Sequence, residues 1–284
     1  MVAITGANGY LGGRIARHLE RAGIEPLALV RRPQQWTGPG RARRYALGEP
    51  LEPELLADVD VVIHAAYDTR ARREHILSAN VAGSLPLLEA ASARGLRVVL
   101  ISSLSAFAGS RSLYGRSKLQ LEEIVRAHGG FALRPGLVFG AEAGGLFGTL
   151  ARLFGRAPLL ALPAGGGQRQ FLTHDGTLAR LLELIVTGRY TPERPVFAAC
   201  ETPSSLRAIA AAIAAAHGRS ARVIDLPAAP LYLLLRLAEL SGLQLPLRSD
   251  SLLSLMRPVP LDQVAMLERS PLAFPPLSAE LWAR

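Results

Sequence analysis

Short apolar runs alternate with longer amphipathic segments near the start of the chain. Val2-Ala3-Ile4 is apolar and rich in β-branched residues, which predicts a buried strand, and the amphipathic stretch through Arg21 predicts a helix after it. Residues 26 to 30 form a second apolar run and predict a second strand. Strands that alternate with helices indicate an α/β fold with parallel strands. We therefore predict a doubly wound parallel sheet of the Rossmann type, with helices on both faces.

The pattern changes after Gly140. Glycines and prolines become frequent up to Gly167, which predicts a loop-rich segment, and residues 170 to 174 then predict a returning strand. Three further elements are predicted near the end: a helix at 205 to 217, a strand at 222 to 226 and a helix at 230 to 242.

These patterns suggest two regions in a chain of 284 residues with 49% apolar content. A chain of this length can bury a large core as one domain with a smaller attached region. We predict a nucleotide-binding domain at residues 1–170, against which residues 171–200 also pack. Residues 201–284 are predicted to form a smaller substrate-binding region.

The segment after the first strand has the composition of a phosphate-binding turn. It contains Gly6, Gly9 and Gly12, and it lies between the predicted strand and the predicted helix. Gly6 would permit the tight turn, Gly9 would let the backbone approach a pyrophosphate, and Gly12 would allow close helix packing. The N–H groups at the start of the helix would face the phosphates. This arrangement predicts a dinucleotide site.

Lys118 is the single lysine among 32 basic residues, and it follows Tyr114 by four positions. On a helix this spacing places both side chains on one face. A tyrosine has an ordinary pKa of about 10, so it becomes an effective acid or base only where a nearby positive charge lowers that pKa. The ammonium of Lys118 and a cationic coenzyme ring could together provide that charge. The pair therefore predicts chemistry rather than a solvated helix face.

Together these segments resemble the extended branch of the short-chain dehydrogenase/reductase superfamily, which contains NAD(P)-dependent epimerases, dehydratases and reductases. Residues 58–66 resemble its fourth strand and the turn that lines the cofactor, and residues 80–91 resemble the helix before its fifth strand. Residues 98–103 resemble the fifth strand with its catalytic hydroxyl, and residues 133–140 the stretch after the sixth. The resemblance covers about residues 1–180.

The resemblance implies a role for each matching residue. Tyr114 would be the general acid/base at the substrate oxygen while hydride moves to or from the nicotinamide. Lys118 would lower the pKa of that tyrosine and hold the nicotinamide ribose. Ser103 would hydrogen-bond the same substrate oxygen, with Ser105 as the alternative, because Leu104 stands where some relatives carry their hydroxyl.

Coenzyme preference depends on charge at the end of the second strand. An acidic residue there would bind a ribose 2′-hydroxyl, whereas arginine accommodates a 2′-phosphate. This chain has Arg31 and Arg32 there, and the nearest carboxylates are Glu25 and Glu49, so we expect NADP(H) rather than NAD(H). The predicted cofactor-binding residues are Gly6, Asn8, Gly9, Tyr10, Leu11, Gly12, Arg31, Arg32, His64, Ala65, Ala66 and Lys118.

Composition and charge argue against several other classes of protein. The single cysteine, Cys200, excludes an internal disulfide and a multi-cysteine metal site, so we expect a cytoplasmic protein without a metal. The apolar stretch from Leu231 to Leu240 is too short to cross a bilayer, and we expect no signal peptide, because the first strand is predicted at Val2. The net charge of +9 comes from scattered arginines without a nucleic-acid motif. We expect neither a nucleic acid nor a membrane as a partner.

The substrate is less well specified than the chemistry. Arg169, Arg248 and Arg257 are candidates for binding a pyrophosphate, and His174 is expected to be structural. We expect an NADP-dependent reductase of a nucleotide-linked keto sugar or another ketone. One alternative is an epimerase or dehydratase that recycles its cofactor. Another is a non-catalytic dinucleotide-binding protein, but such a protein would not need Tyr114 or Lys118. A homodimer is an expectation from the resemblance.

Overall fold

The computed structural model describes residues 1–156, 159–220, 222–243 and 245–282. Positions 221, 244, 283 and 284 of the predicted smaller region therefore lie outside the described residues. The strands are β1 (Val2–Thr5), β2 (Pro26–Val30), β3 (Arg41–Arg44), β4 (Val61–His64), β5 (Arg97–Ile101), β6 (Phe131–Pro135), β7 (Leu137–Phe139), β8 (Leu159–Pro163), β9 (Arg169–Gln170), β10 (Leu172–His174), β11 (Val196–Ala198), β12 (Ser204–Ser205), β13 (Arg222–Leu226) and β14 (Glu268–Arg269).

Helices connect most of these strands. They are α1 (Tyr10–Arg21), α2 (Ile76–Asn80), α3 (Leu85–Ala93), α4 (Leu113–Ala127), α5 (Gly145–Arg156), α6 (Asp175–Val186), α7 (Leu206–Ala216), α8 (Ala228–Leu240), α9 (Ser249–Met256), α10 (Leu261–Ala265) and α11 (Ala279–Trp282). Within the described ranges, none of these helices combines the length and the apolar character needed to span a bilayer.

A central sheet organises the fold, and the prediction of a doubly wound parallel sheet is confirmed. In the described residues it has eight strands in the order β14-β11-β6-β5-β4-β1-β2-β3. Every neighbouring pair in it is parallel. Each face of the sheet is covered by helices: Leu19 of α1 and Leu181 of α6 are buried on one face, and Leu88 of α3 and Leu121 of α4 on the other.

The strand order reverses at β1. This strand pairs with β2 on one side and with β4 on the other, and Thr5 lies opposite His64 at the carboxyl ends of β1 and β4. Chain connections leave such a point in opposite directions, which opens a crevice beyond the strand ends. The fold therefore places a ligand crevice beside Thr5 and His64.

A second core is shared by elements from both predicted regions. Phe147 and Phe154 of α5 are buried together with Ile209 and Ile213 of α7, next to the parallel pair of β8 and β13. The chain then returns to the central sheet, where β14 pairs with β11 at the edge. The helix-strand-helix pattern predicted at the end of the chain is confirmed by α7, β13 and α8.

The structure corrects three details of the sequence analysis. The segment expected to be loop-rich contains α5, because buried Phe147, Leu150 and Phe154 recur at helical spacing and outweigh the glycines between them. Leu133–Pro135 belongs to β6 itself rather than to the stretch after it. The helix expected from residues 80 to 91 is divided, since α2 ends at Asn80 and α3 begins at Leu85.

Candidate active site

The glycine turn packs tightly between β1, β4 and α1. Gly6 has a φ of +68°, which favours glycine, and a Cβ on it would lie 2.9 Å from the Ala66 Cα. A Cβ on Gly12 would lie only 2.4 Å from the Gly6 carbonyl oxygen. The backbone of the turn lies against Ala66 after β4 and against α1. Only glycine therefore fits these two positions.

The start of α1 leaves its backbone donors available for an anion. No side chain caps the helix at Gly9, and Asn8 and Gly9 are both exposed. Free N–H groups and the helix dipole favour a phosphate at this place. The glycine turn thus fits the pyrophosphate of a dinucleotide. Arg31 and Arg32 are exposed directly after β2, next to β1 in the sheet.

His64 is held inside the protein by both ring nitrogens. Its Nδ1 lies 2.9 Å from the Thr5 hydroxyl, and its Nε2 lies 2.9 Å from the Ser84 hydroxyl. The Thr5 hydroxyl also accepts hydrogen bonds from the N–H groups of Ala65 and Ala66, each at 3.0 Å. Burial lowers the pKa of His64 to about 3, so the ring stays neutral. The imidazole therefore braces the ends of β1 and β4.

Tyr10 connects the glycine turn to the carboxyl half of the chain. Its hydroxyl donates to the Asp175 carboxylate at 2.6 Å, and the Nε of Arg14 lies 3.3 Å from the same oxygen. Asp175 is the first residue of α6 and is buried. Burial and this carboxylate raise the pKa of Tyr10, so the phenol remains a donor. The sequence analysis did not identify Asp175, because it lies 165 positions from Tyr10.

Ser103, Tyr114 and Lys118 converge at the carboxyl end of β5. Ser103 follows β5, whereas Tyr114 and Lys118 project from the first two turns of α4. The Nζ of Lys118 donates to the Ile101 carbonyl at 2.7 Å and lies 5.9 Å from the centre of the Tyr114 ring. Ser103 and Tyr114 both line a cavity of about 390 Å³ that also contacts Tyr10 at the start of α1.

The protein's own groups raise the pKa of Tyr114, whereas Lys118 and a cationic coenzyme ring together were expected to lower it. Burial raises it to about 12, and a hydrogen bond with Ser103 only partly offsets that rise. Burial also lowers the pKa of Lys118 to about 8, although the Glu122 carboxylate acts against this shift. The protein's own groups thus keep the phenol protonated, which suits a proton donor.

A buried ion pair distinguishes the neighbouring serines. Arg134 donates to both carboxylate oxygens of Glu122, the closest contact being 2.7 Å, and the Ser102 hydroxyl donates to Glu122 as well. The Ser102 hydroxyl is therefore already hydrogen-bonded within this cluster. Ser103 and Ser105 both reach the cavity, and Ser103 is the serine that acts to lower the pKa of Tyr114.

Two residues beside Tyr114 were missed by the sequence analysis. The ring of Tyr67 packs edge-on against that of Tyr114, with centroids 4.9 Å apart, and its hydroxyl lies 3.0 Å from the Ser117 hydroxyl. Asp250 of α9 accepts hydrogen bonds from the backbone N–H groups of Leu113 and Tyr114, at 2.7 and 3.1 Å. These contacts fix the start of α4. Neither residue has a sequence pattern that relates it to Tyr114.

The remaining candidates have different positions. Arg248 lines the cavity and donates to the Thr69 carbonyl, whereas Arg169 and Arg257 do not line it. His174 caps α6 by accepting from the Thr177 N–H, which is a structural role. Cys200 is buried in the core. In the residues described, no group of three or more His, Cys, Asp or Glu side chains is arranged for a metal ion.

Most of the cavity wall is apolar. One cationic side chain, Arg248, lines it among the described residues, and two carboxylates do, Asp68 and Asp250. The apolar side chains that line it are Leu11, Ile76, Leu104, Leu137, Val138, Leu146, Phe147, Phe171, Leu255, Pro258 and Val259.

Comparison with known proteins identifies the family of this chain. Residues 2–175 match the NAD dependent epimerase/dehydratase family. The chain belongs to this family. The match ends at the start of α6, so it includes the glycine turn, the strand ends and the residues around Tyr114.

Two curated reductases are similar to this family member. The ceramide reductase of Caulobacter vibrioides is 39% identical over 163 residues, which cover 54% of this chain and 51% of that protein. The UDP-2-acetamido-2,6-beta-L-arabino-hexul-4-ose reductase of Pseudomonas aeruginosa is 31% identical over 130 residues, covering 45% of this chain and 31% of that protein. The matched segments thus span about half of the first relative and less than a third of the second.

Solved structures of other enzymes share the fold. MoeE5 in complex with UDP-glucuronic acid and NAD has a TM-score of 0.67 and 24% identity, covering 80% of this chain and 85% of that one. The UDP-N-acetylglucosamine 4-epimerase from Bacillus cereus has a TM-score of 0.64 and 20% identity, covering 80% and 84%. These similarities confirm the Rossmann-type architecture.

Proposed function

We propose that this protein is an NADP-dependent reductase that converts a ketone to an alcohol. The observation that carries the proposal is the meeting of Ser103, Tyr114 and Lys118 beside a cavity that reaches the start of α1. Both curated relatives are named as reductases, which favours reduction over epimerisation. An epimerase or dehydratase with a recycled cofactor is the alternative.

The residues of the crevice fit a dinucleotide. The turn formed by Gly6, Gly9 and Gly12 would hold the pyrophosphate, and the backbone of residues 64–66 would border the coenzyme. Arg31 and Arg32 would bind a 2′-phosphate, since guanidinium groups match phosphate oxygens. Bound NADPH would supply the hydride for the reduction.

The side chains at the cavity wall have complementary tasks. Ser103 would hold the substrate oxygen by a hydrogen bond, and Tyr114 would donate a proton to that oxygen as negative charge develops there. The raised pKa of about 12 keeps the phenol protonated until then. Lys118, anchored on the Ile101 carbonyl at 2.7 Å, would place its charge near the phenolate that forms and would hold the ribose.

The cavity wall favours an apolar ketone over a nucleotide-linked keto sugar. A pyrophosphate attracts several cationic groups, but Arg248 is the one arginine on the wall in the described part of the chain, and it already donates to the Thr69 carbonyl. Leucine, valine and phenylalanine side chains would instead bury a hydrocarbon portion of the substrate. We therefore propose a ketone with an apolar chain as the substrate.

The test measures oxidation of NADPH and of NADH with long-chain ketones and with UDP-linked 4-keto sugars. We expect NADPH oxidation with the ketones, and a loss of about 100-fold or more in Tyr114→Phe, because general acid catalysis contributes about 10² to 10⁴. Tyr67→Phe is the matched control, since it removes a hydroxyl from the same cavity wall and should retain most activity.

Other outcomes would contradict the proposal. Turnover of keto sugars alone would overturn the substrate class. Tight coenzyme binding without coenzyme consumption would overturn the reductase and favour an epimerase. An active Tyr114→Phe variant would remove Tyr114 as the proton donor.

A further inference from the structure

The outward side of α8 is covered by leucines. Leu233, Leu234, Leu237 and Leu240, together with Leu243 just after the helix, are between 55% and 73% exposed. The four helical positions lie within about 120° of one another around the axis, since each residue advances the helix by about 100°. We call these five residues the leucine face. A contiguous apolar surface of this kind marks an interaction site.

The helix that carries the leucine face packs against a helix that lines the cavity. On the opposite side of α8, Leu235 and Ala238 are buried. Glu239 accepts hydrogen bonds from the N–H and from the hydroxyl of Ser249, both at 2.8 Å, at the start of α9. Helix α9 in turn lines the cavity through Leu255. One helix therefore separates the leucine face from the cavity.

Arginines lie beside the end of α8. The Nε of Arg248 is 3.9 Å from the Glu239 carboxylate, and the same guanidinium donates to the Thr69 carbonyl. One side chain thus bridges the end of α8 to the loop that follows Thr69. Arg70 and Arg72 of this loop are exposed. Exposed positive charge therefore lies on the loop that Arg248 joins to the side of α8 opposite the leucine face.

We propose that the leucine face docks on an anionic lipid bilayer. Apolar side chains on a helix lying flat in the interface would enter the lipid, and an anionic surface would attract a chain that carries excess arginine. The net charge of +9 attracts the whole chain to such a surface. A second copy fits less well, because two chains that each carry a net charge of +9 repel one another. This proposal departs from the expectation of no membrane partner, and it does not depend on the proposed reductase activity.

The test is cosedimentation of the full chain with vesicles. We expect binding to phosphatidylcholine vesicles that contain phosphatidylglycerol, weaker binding to phosphatidylcholine alone, and release as salt is added. Replacing Leu234, Leu237 and Leu240 together by serine should weaken binding by at least about 100-fold, because the lipid contact loses three leucine side chains. These side chains are exposed, so the variant should melt at the temperature of the parent protein.

A matched control replaces exposed apolar residues elsewhere. Leu261 and Met266 are 70% and 71% exposed and lie outside α8, so changing both to serine should leave vesicle binding unchanged. Equal loss in this control, or equal binding by the triple variant, would overturn the proposal. It would also be overturned by failure of the parent protein to bind anionic vesicles. A dimer that the triple variant dissociates would assign the leucine face to a second copy.

Discussion

Asp250 offers a direct test of how the fold positions Tyr114. This carboxylate accepts hydrogen bonds from the Leu113 and Tyr114 N–H groups at 2.7 and 3.1 Å, and it lies 3.6 Å from Arg73. Hydrogen bonds to a charged group contribute about 1.5 to 3 kcal/mol each, and loss of a helix cap costs about 0.5 to 2 kcal/mol. The Asp250 side chain is 13% exposed, so water can replace part of these bonds, and we expect Asp250→Ala to lower the free energy of unfolding by about 2 to 4 kcal/mol.

Urea denaturation, followed by circular dichroism, measures this loss as a lower midpoint at unchanged slope. Asp250→Asn should lose less, because the amide oxygen still accepts one hydrogen bond. The exposed Asp262 provides the control, and its change to alanine should alter stability by less than about 0.5 kcal/mol. If Asp250→Ala also lies within that range, the two N–H contacts do not hold α4. If stability falls as expected but kcat is unchanged, the cap does not position Tyr114 for chemistry.

Three further predictions concern the coenzyme site and Lys118. Gly12→Ala should weaken NADPH binding by about tenfold or more, measured by calorimetry, because its Cβ would lie 2.4 Å from the Gly6 carbonyl oxygen; unchanged affinity would contradict the fit of the turn. Changing Arg31 and Arg32 to serine should raise KM for NADPH by about tenfold or more but leave KM for NADH nearly constant; parallel changes would refute the 2′-phosphate site. The pKa of Lys118 falls from 10.5 to about 8 in the folded protein. Between these two values the unfolded chain binds more protons than the folded protein, so the free energy of unfolding should rise with pH from about 8 to 10. Lys118→Met should remove that rise in pH-dependent denaturation, and an identical slope in both proteins would show that Lys118 is not its source.

Local patterns in the sequence predicted much of the fold and part of the candidate site. The glycine turn and the Tyr114–Lys118 pair each lie within one short segment, so their geometry follows from a single strand-turn-helix unit or a single helix. The parallel sheet followed from strands that alternate with helices, and the structure confirms it. The assignment of roles to these residues stays a prediction.

Other features depend on contacts that no local pattern contains. Asp250 reaches Tyr114 across 136 positions, and Asp175 reaches Tyr10 across 165. The pKa of Tyr114 was expected to fall beside Lys118 and a cationic coenzyme ring, whereas the protein's own groups raise it to about 12 through burial, which is a property of the whole fold. Helix α5 was missed for a different reason, since glycine content was given more weight than the apolar spacing around Phe147.

The burial of Lys118 also makes this chain a favourable subject for labelling experiments. It is the single lysine in the sequence, and the residue is 3% exposed. Lysine-selective isotopic labelling would therefore produce one side-chain ammonium resonance, free of overlap and located at the candidate active site. Its chemical shift could be followed through a titration without mutating the protein, so the charge of Lys118 could be observed directly as coenzyme and substrate are added.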